Sequence, residues 1–337
     1  MRHLRSIQFA LATAIMAAVA LPPGSGRAQD PNSAPNPYRM EENWFKLPEG
    51  RKWGSTASVE VDPDGKSFWT FDRCGANDCI KSNLTPIQKF DQTGKLLVSF
   101  GANMFIRPHG IHVDRQGNVW ASDQSGQDGK GHQVFKFSPE GKVLMTLGKP
   151  GVAGDGPDTF REPTDILVAP NGDFFVTMGH DEKGPGRVIK FTKDGKYIKE
   201  WGKNGSGPGE FSVPHTMAMD STGRLFVGDR ANNRIQIFDQ DGKYLSELRQ
   251  FGRPSGIYID KNDMLYVADH QSGDNGTTNV PFQKGIRIGS LKDGKVLAFI
   301  PEAAPKAGMP EGIAVDDQGN IVTGWTGQMS VRRFVKK

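Results

Sequence analysis

Two cysteines, Cys74 and Cys79, are all that 337 residues contain, so no multi-bridge disulfide framework holds this chain together. They stand close enough in sequence to pair with each other, and the alternative use of a C-x4-C spacing is a metal clip. Long apolar runs are scarce as well. Beyond Ala20 no stretch approaches the roughly 20 residues that a membrane helix needs, which excludes a span in the mature chain. An excess of one charge is also missing. The formal net charge of +4 includes Arg2, Arg5 and Arg27, and without these three the 42 lysines and arginines become 39 against 38 acidic residues. The remaining lysines fall one per turn, as in Gly94-Lys95, Gly141-Lys142, Gly195-Lys196, Gly242-Lys243 and Gly294-Lys295. They form no stripe, so the chain lacks the footprint of a nucleic-acid binder. Hydrophobic content is only 36%, while 42 glycines and 22 prolines suit short strands and many turns better than helices.

What is present begins with a segment unlike the rest. Residues 1 to 28 carry a basic start, Met1-Arg2-His3-Leu4-Arg5, an apolar stretch from Ile7 to Ala20 and small residues at Gly26-Arg27-Ala28. This is the pattern of a secretory signal peptide, and it predicts a secreted or periplasmic protein in which a disulfide is the favoured state of the cysteine pair. Residues 29 to 37 are polar and proline-rich and predict a flexible leader. From residue 38 to 337 the chain reads as a single domain.

That domain is a repeat. The unit Arg107-Pro108-His109-Gly110-Ile111-His112-Val113-Asp114 through Gly117-Asn118-Val119-Trp120 returns at Pro163-Thr164-Asp165-Ile166, Pro214-His215-Thr216-Met217, Pro254-Ser255-Gly256-Ile257 and Pro310-Glu311-Gly312-Ile313. A weaker copy at Ala57-Ser58-Val59-Glu60 makes six. The prolines are spaced by roughly 40 to 56 residues, the range of propeller blades. Each full unit holds four short strand-like runs parted by turn residues, for example Gly110 to Asp114, Asn118 to Asp123, Gln133 to Ser138 and Val143 to Gly148. The pattern predicts an all-β, six-bladed β-propeller. The last unit is one strand short, and Arg39 to Leu47 is expected to fill it, so that an N-terminal strand closes the ring and removes its free edges. Acidic turns such as Asp62-Pro63-Asp64-Gly65 lack the twelve-residue calcium-loop pattern and are expected to be hairpin turns.

In a propeller the first strand of each blade lines the central channel. The position after the repeat's proline reads Ala57, His109, Thr164, His215, Ser255 and Glu311 around the ring, alternating small residues with metal ligands. His109, His215 and Glu311 are therefore expected to converge at about 120 degrees to one another, and two imidazoles plus a carboxylate form a catalytic zinc ligand set. His112, His132 and His270 fall at other registers and are expected to be structural.

These residues resemble a known family, the NHL-repeat six-bladed propellers of peptidyl-alpha-hydroxyglycine alpha-amidating lyase (peptidylamidoglycolate lyase). The resemblance spans about residues 50 to 335 and is carried by Arg107-Pro108-His109-Gly110, His132-Gln133-Val134-Phe135-Lys136-Phe137, Pro214-His215-Thr216-Met217-Ala218 and Asp229-Arg230-Ala231-Asn232-Asn233-Arg234-Ile235-Gln236-Ile237-Phe238. In that family three histidines hold zinc. His109 and His215 match two of them, and Glu311 stands where the third is expected, which lowers the Lewis acidity the resemblance implies. The aspartate that follows the third histidine and joins in calcium binding is Gly312 here, so structural calcium does not carry over. The resemblance also implies a substrate-contacting arginine, matched by Arg73 in Phe71-Asp72-Arg73-Cys74, whose fork suits a carboxylate or oxyanion. A salt bridge from Arg73 to Asp72 or Asp78 is the structural alternative. The family's base is a tyrosine; the corresponding region reads Val176-Thr177-Met178-Gly179-His180-Asp181, with His180 as the nearest general base. An exposed charge partner of Asp181 and Glu182 is the other role open to it.

The resemblance implies a metal-dependent carbon–nitrogen lyase, with zinc or another divalent ion, acting on an alpha-hydroxyglycine-like or related small hydroxylated amide or peptide. The second reading is a non-catalytic NHL scaffold that binds a peptide or protein on its loop face, since propellers serve both uses. A lactonase or an antibiotic-ring lyase is a third, without its carboxylate and asparagine pattern in register. A monomer is the expected state.

Overall fold

The computed structural model describes residues 30–273, 281–302 and 310–337. The expected signal peptide, residues 1–28, lies outside the described residues. Among the described residues the chain forms six four-stranded antiparallel sheets, each a blade. The inner strands are Thr56–Val61, Pro108–Val113, Pro163–Val168, Pro214–Met219, Pro254–Ile259 and Pro310–Val315. Their antiparallel neighbours, the second strands, are Phe68–Asp72, Val119–Gln127, Phe174–Met178, Leu225–Asp229, Met264–Asp269 and Ile321–Trp325. The only helix among the described residues is a single 3-10 turn, Arg230–Asn232.

The blades cohere through clusters of large side chains packed from one sheet to the next. Trp69, Phe71 and Ile87 of blade one meet Ile111, Val119 and Phe135 of blade two, with Phe105 from the connecting loop between them. Equivalent clusters follow around the ring. Burying each such side chain contributes about 1.5–3 kcal/mol, so both faces of every blade need a neighbour. That need curls the array into a ring.

Closure comes from the N-terminus. Tyr38–Glu41 pairs antiparallel with Ser330–Lys336, in the register Tyr38 to Lys336 and Glu41 to Arg333, and supplies the outermost strand of blade six. This strand is shorter than the expected Arg39 to Leu47. Asn43 takes φ 53° and turns the chain. Trp44 and Phe45 then pack edge-on against Phe68 instead of extending the sheet. The expected leader is anchored where it is described. Asn32 Oδ1 accepts from Arg287 Nη2 at 2.6 Å, and the carbonyl of Pro35 accepts from Phe299 N at 3.1 Å.

The acidic turns are hairpins. In Asp62-Pro63-Asp64-Gly65 the Asp64 carboxylate accepts from Lys66 N, Ser67 N and Ser67 Oγ, and Gly65 takes φ 70° to complete the turn.

Candidate functional site

Each inner strand begins at one mouth of the channel, and the side chains after the prolines meet there. His109, His215, Glu311 and His180 each offer one ligand atom, all within 4.8 Å of one another. His109 Nε2 lies 3.7 Å and His215 Nε2 3.4 Å from Glu311 Oε1. The two imidazole centroids are 4.7 Å apart.

The alternation of large and small residues around the ring has a physical cause. His109 Nδ1 donates to the carbonyl of Thr164, and His215 Nδ1 donates to the carbonyl of Ser255, each at 2.7 Å. The small residue of the next blade thus exposes a backbone acceptor to the histidine before it. Since a carbonyl only accepts, Nδ1 carries the proton and the Nε2 lone pair faces the channel, which is how outer-shell acceptors prepare imidazole ligands. Both Nε2 atoms are buried without a hydrogen-bond partner.

Burial, with smaller electrostatic contributions, holds His109 well below the usual imidazole range and lowers His215 as well. Burial alone would raise Glu311. The neighbouring His215, His270 and Arg73 outweigh it and keep the carboxyl well below the usual range, so Glu311 is ionised. Two lone pairs and a carboxylate facing one another repel unless a cation lies between them. This donor set and its orphaned Nε2 atoms fit a divalent metal.

His180 arrives from a different register. It follows the second strand of blade three, and its loop is tied down by Glu162 Oε2, which accepts from His180 N and Asp181 N at 3.1 and 3.0 Å. Its ring centroid is 5.3 Å from those of both His109 and His215. His180 is therefore part of the cluster and not an exposed loop residue. Its Nε2 lies 3.3 Å from Arg230 Nη2. Burial, then the Arg230 charge, holds it well below the usual imidazole range.

Arg73 is buried, and its Nε donates to the carbonyl of Pro108 at 2.9 Å while Nη1 donates to Asn77 Oδ1 at 2.8 Å. The salt bridge of Asp72 is with Arg51, at 3.3 Å, and among the described residues neither Asp72 nor Asp78 lies within ion-pair distance of Arg73. A Cys74–Cys79 disulfide closes the loop that carries Asn77 and thereby fixes the Arg73 fork.

Two site residues, Arg230 and His270, lie off the inner strands, directly after the second strands of blades four and five. In the sheet register the prolines at 108, 214 and 254 pair with Asp123, Asp229 and Asp269, and Thr56 pairs with Asp72. The residue after each aspartate returns to the same mouth, giving Arg73, Gln124, Arg230 and His270. The repeated aspartates are buried and tie down the loops leading into the inner strands, as Asp123 does by accepting from Ile106 N and Arg107 N. His270, expected to be structural, donates or accepts at Nδ1 with Ser255 Oγ; burial, opposed by the Glu311 charge and helped by that of Arg230, pushes its pKa down to about 3. His112 lies farther down the channel, 3.6 Å from Glu60.

The channel continues behind the cluster as a cavity of about 250 Å³, with His109, Thr164, His215 and Ser255 at its inner end and Glu60, His112 and Tyr258 along its wall.

The NHL repeat family matches this chain over residues 211–238. The chain is 34% identical over 260 residues to peptidyl-glycine alpha-amidating monooxygenase B of Xenopus laevis, covering 72% of this chain and 28% of that protein. It is 37% identical over 158 residues to peptidyl-alpha-hydroxyglycine alpha-amidating lyase 1 of Drosophila melanogaster, covering 43% and 28%. To human NHL repeat-containing protein 3 it is 34% identical over 214 residues, covering 62% and 58%. The chain thus spans about a quarter of the length of the monooxygenases it matches. A solved streptogramin B lyase shares the fold, with a TM-score of 0.57 at 18% identity over 89% of this chain and 98% of that one. Among the described residues no helix is long and apolar enough to cross a membrane.

Proposed function

We propose that this NHL-repeat six-bladed propeller, which resembles the peptidyl-alpha-hydroxyglycine alpha-amidating lyases, is a secreted or periplasmic, metal-dependent carbon–nitrogen lyase acting on an alpha-hydroxyglycine-like or related hydroxylated amide. The observation that carries the reading is the pair of buried, partnerless Nε2 atoms, each set by an Nδ1–H to carbonyl bond, facing Glu311. His109, His215 and Glu311 would hold zinc or another divalent cation. Such an ion supplies Lewis acidity and lowers the pKa of a hydroxyl it meets.

The chain's own residues do the rest. Arg73, held by Pro108 and Asn77, orients the substrate carboxylate. His180, which lacks the carbonyl anchor of the other two histidines and is neutral, takes the hydroxyl proton. As the hydroxyl carbon becomes a carbonyl, the bond to nitrogen breaks, and the same proton passes to the departing nitrogen. An N-acyl-alpha-hydroxyglycine therefore gives one primary amide and one glyoxylate, with no other reactant. The test is glyoxylate release from such a compound by zinc-loaded protein; no release at any divalent metal tried would overturn the reading.

The second reading, a non-catalytic NHL scaffold, is favoured by one specific observation, Glu311 at the position of a third histidine. The likeness to human NHL repeat-containing protein 3 is compatible with it. It predicts zinc binding without turnover in the same assay.

A further inference from the structure

The channel mouth carries more positive charge than one substrate carboxylate requires. Arg73 follows the second strand of blade one, and Arg107 immediately precedes the inner strand of blade two. Arg230 follows the second strand of blade four, and Arg253 immediately precedes the inner strand of blade five. The same two structural positions are thus both arginine at two junctions three blades apart, which is half a turn of the ring. Between blades two and three these positions hold Gln124 and Glu162, and between blades three and four Gly179 and Val213.

These guanidinium groups are poorly matched by the protein. Among the described residues, no carboxylate lies within ion-pair distance of Arg73, Arg107 or Arg230; the ion pair of Arg253 is with Glu182, at 3.1 Å, and the Glu182 side chain is 64% exposed. An ion pair with one partner in water is weak and yields readily to a competing anion. Arg107 Nε and Arg230 Nε are buried with no hydrogen-bond partner, and the Arg230 residue is only 4% exposed. Burial is the main force pushing Arg73 and Arg230 down to about 10, with Arg107 adding to the first and Arg253 to the second, so each pair is close enough for mutual repulsion. Glu311 is the carboxylate that both arginines sense most strongly, and it sits in the histidine cluster between the pairs. Uncompensated buried cations are costly unless a ligand supplies the opposite charge.

We infer that the mouth takes a small substrate with two anionic groups, one at each arginine pair, with the histidine cluster and the bond to be broken between them. This rests on the active-site reading above and narrows it from a peptide with a single terminal carboxylate to a compact dianion, dicarboxylate in its simplest form. Arg107 and Arg253 are the specificity-determining residues, because they convert a one-carboxylate site into a two-anion site.

The test reads binding, so it stands apart from turnover. Zinc-loaded protein is titrated by calorimetry, at fixed ionic strength, with malonate, succinate and glutarate and with acetate, propionate and butyrate. At least one diacid is expected to bind tenfold or more tightly than every monoacid. Arg107→Gln and Arg253→Gln are each expected to cut that preference to threefold or less with zinc content retained, and the lysine variants to restore part of it. Equal affinity for diacids and monoacids in the unmodified protein overturns the inference, whatever the variants do. So does a diacid preference that survives both glutamine substitutions. Absence of glyoxylate release would count against the lyase reading alone.

Discussion

At the scale of single residues, the site is governed by the direction of two protons. His109 and His215 each spend Nδ1–H on a neighbouring blade's carbonyl, which leaves two lone pairs and the Glu311 carboxylate facing one another. Removing either imbalanced donor should remove the reason for a cation: His109→Ala and His215→Ala are each expected to lower zinc from about one per chain to near none by elemental analysis, with the sheet signal in circular dichroism kept. Asp123 gives a second residue-scale expectation. Burial raises its carboxyl to about 7 against the two backbone donors that pull it down. The folded protein therefore retains a proton that the unfolded chain releases between about pH 4 and 7, and stability from this group is lost as pH rises through that window. Chemical denaturation at pH 5 and pH 8 should show a smaller pH dependence for Asp123→Asn than for the unmodified protein. An equal dependence in both would place the titration elsewhere.

At the scale of the strand, the start of each inner strand converts sequence phase into geometry. Proline fixes the backbone, the next side chain sits at the mouth, and the residue after that lies against the neighbouring blade. Gly110 shows how tight this is, because a Cβ there would be 2.5 Å from the carbonyl oxygen of Thr164, the acceptor that orients His109. Gly110→Ala should weaken zinc binding by about 10–100-fold, the range for disturbing a ligand's outer-shell partner, measured by competition with a chelator. Val213, buried and β-branched, holds φ 66° just before Pro214-His215, a strain on the order of 1–3 kcal/mol placed next to a site residue. The inner-strand phase was legible in the sequence because proline marks the register in five repeats. Arg230 and His270 were legible in the same way, through the Asp-Arg and Asp-His pairs that repeat Asp72-Arg73, but the second strand carries no proline to mark it. The position of His180 was not, since its blade has Met178 where four of the others have aspartate, and its loop is set by Glu162 from the adjoining turn.

At the scale of the whole molecule, a ring of blades depends on its closing strand. Tyr38 is buried, and Glu41 pairs with Arg333 at 2.7 Å across the closure. Deleting residues 30–41 would expose the edge of Ser330–Lys336, so the melting temperature should fall by several degrees and the protein should associate in proportion to its concentration. The number of blades was legible because the repeat is, whereas the length of the closing strand was not, because packing of Trp44 and Phe45 ends it early. A cation joining three blades at the axis should brace the same ring, adding about 2.7 kcal/mol when zinc is at a hundredfold excess over its dissociation constant. The most direct measurement is native mass spectrometry of zinc-treated protein beside its His215→Ala variant. A mass increase of one zinc is expected for the first and none for the second, and one zinc retained in full by the variant would overturn the metal site.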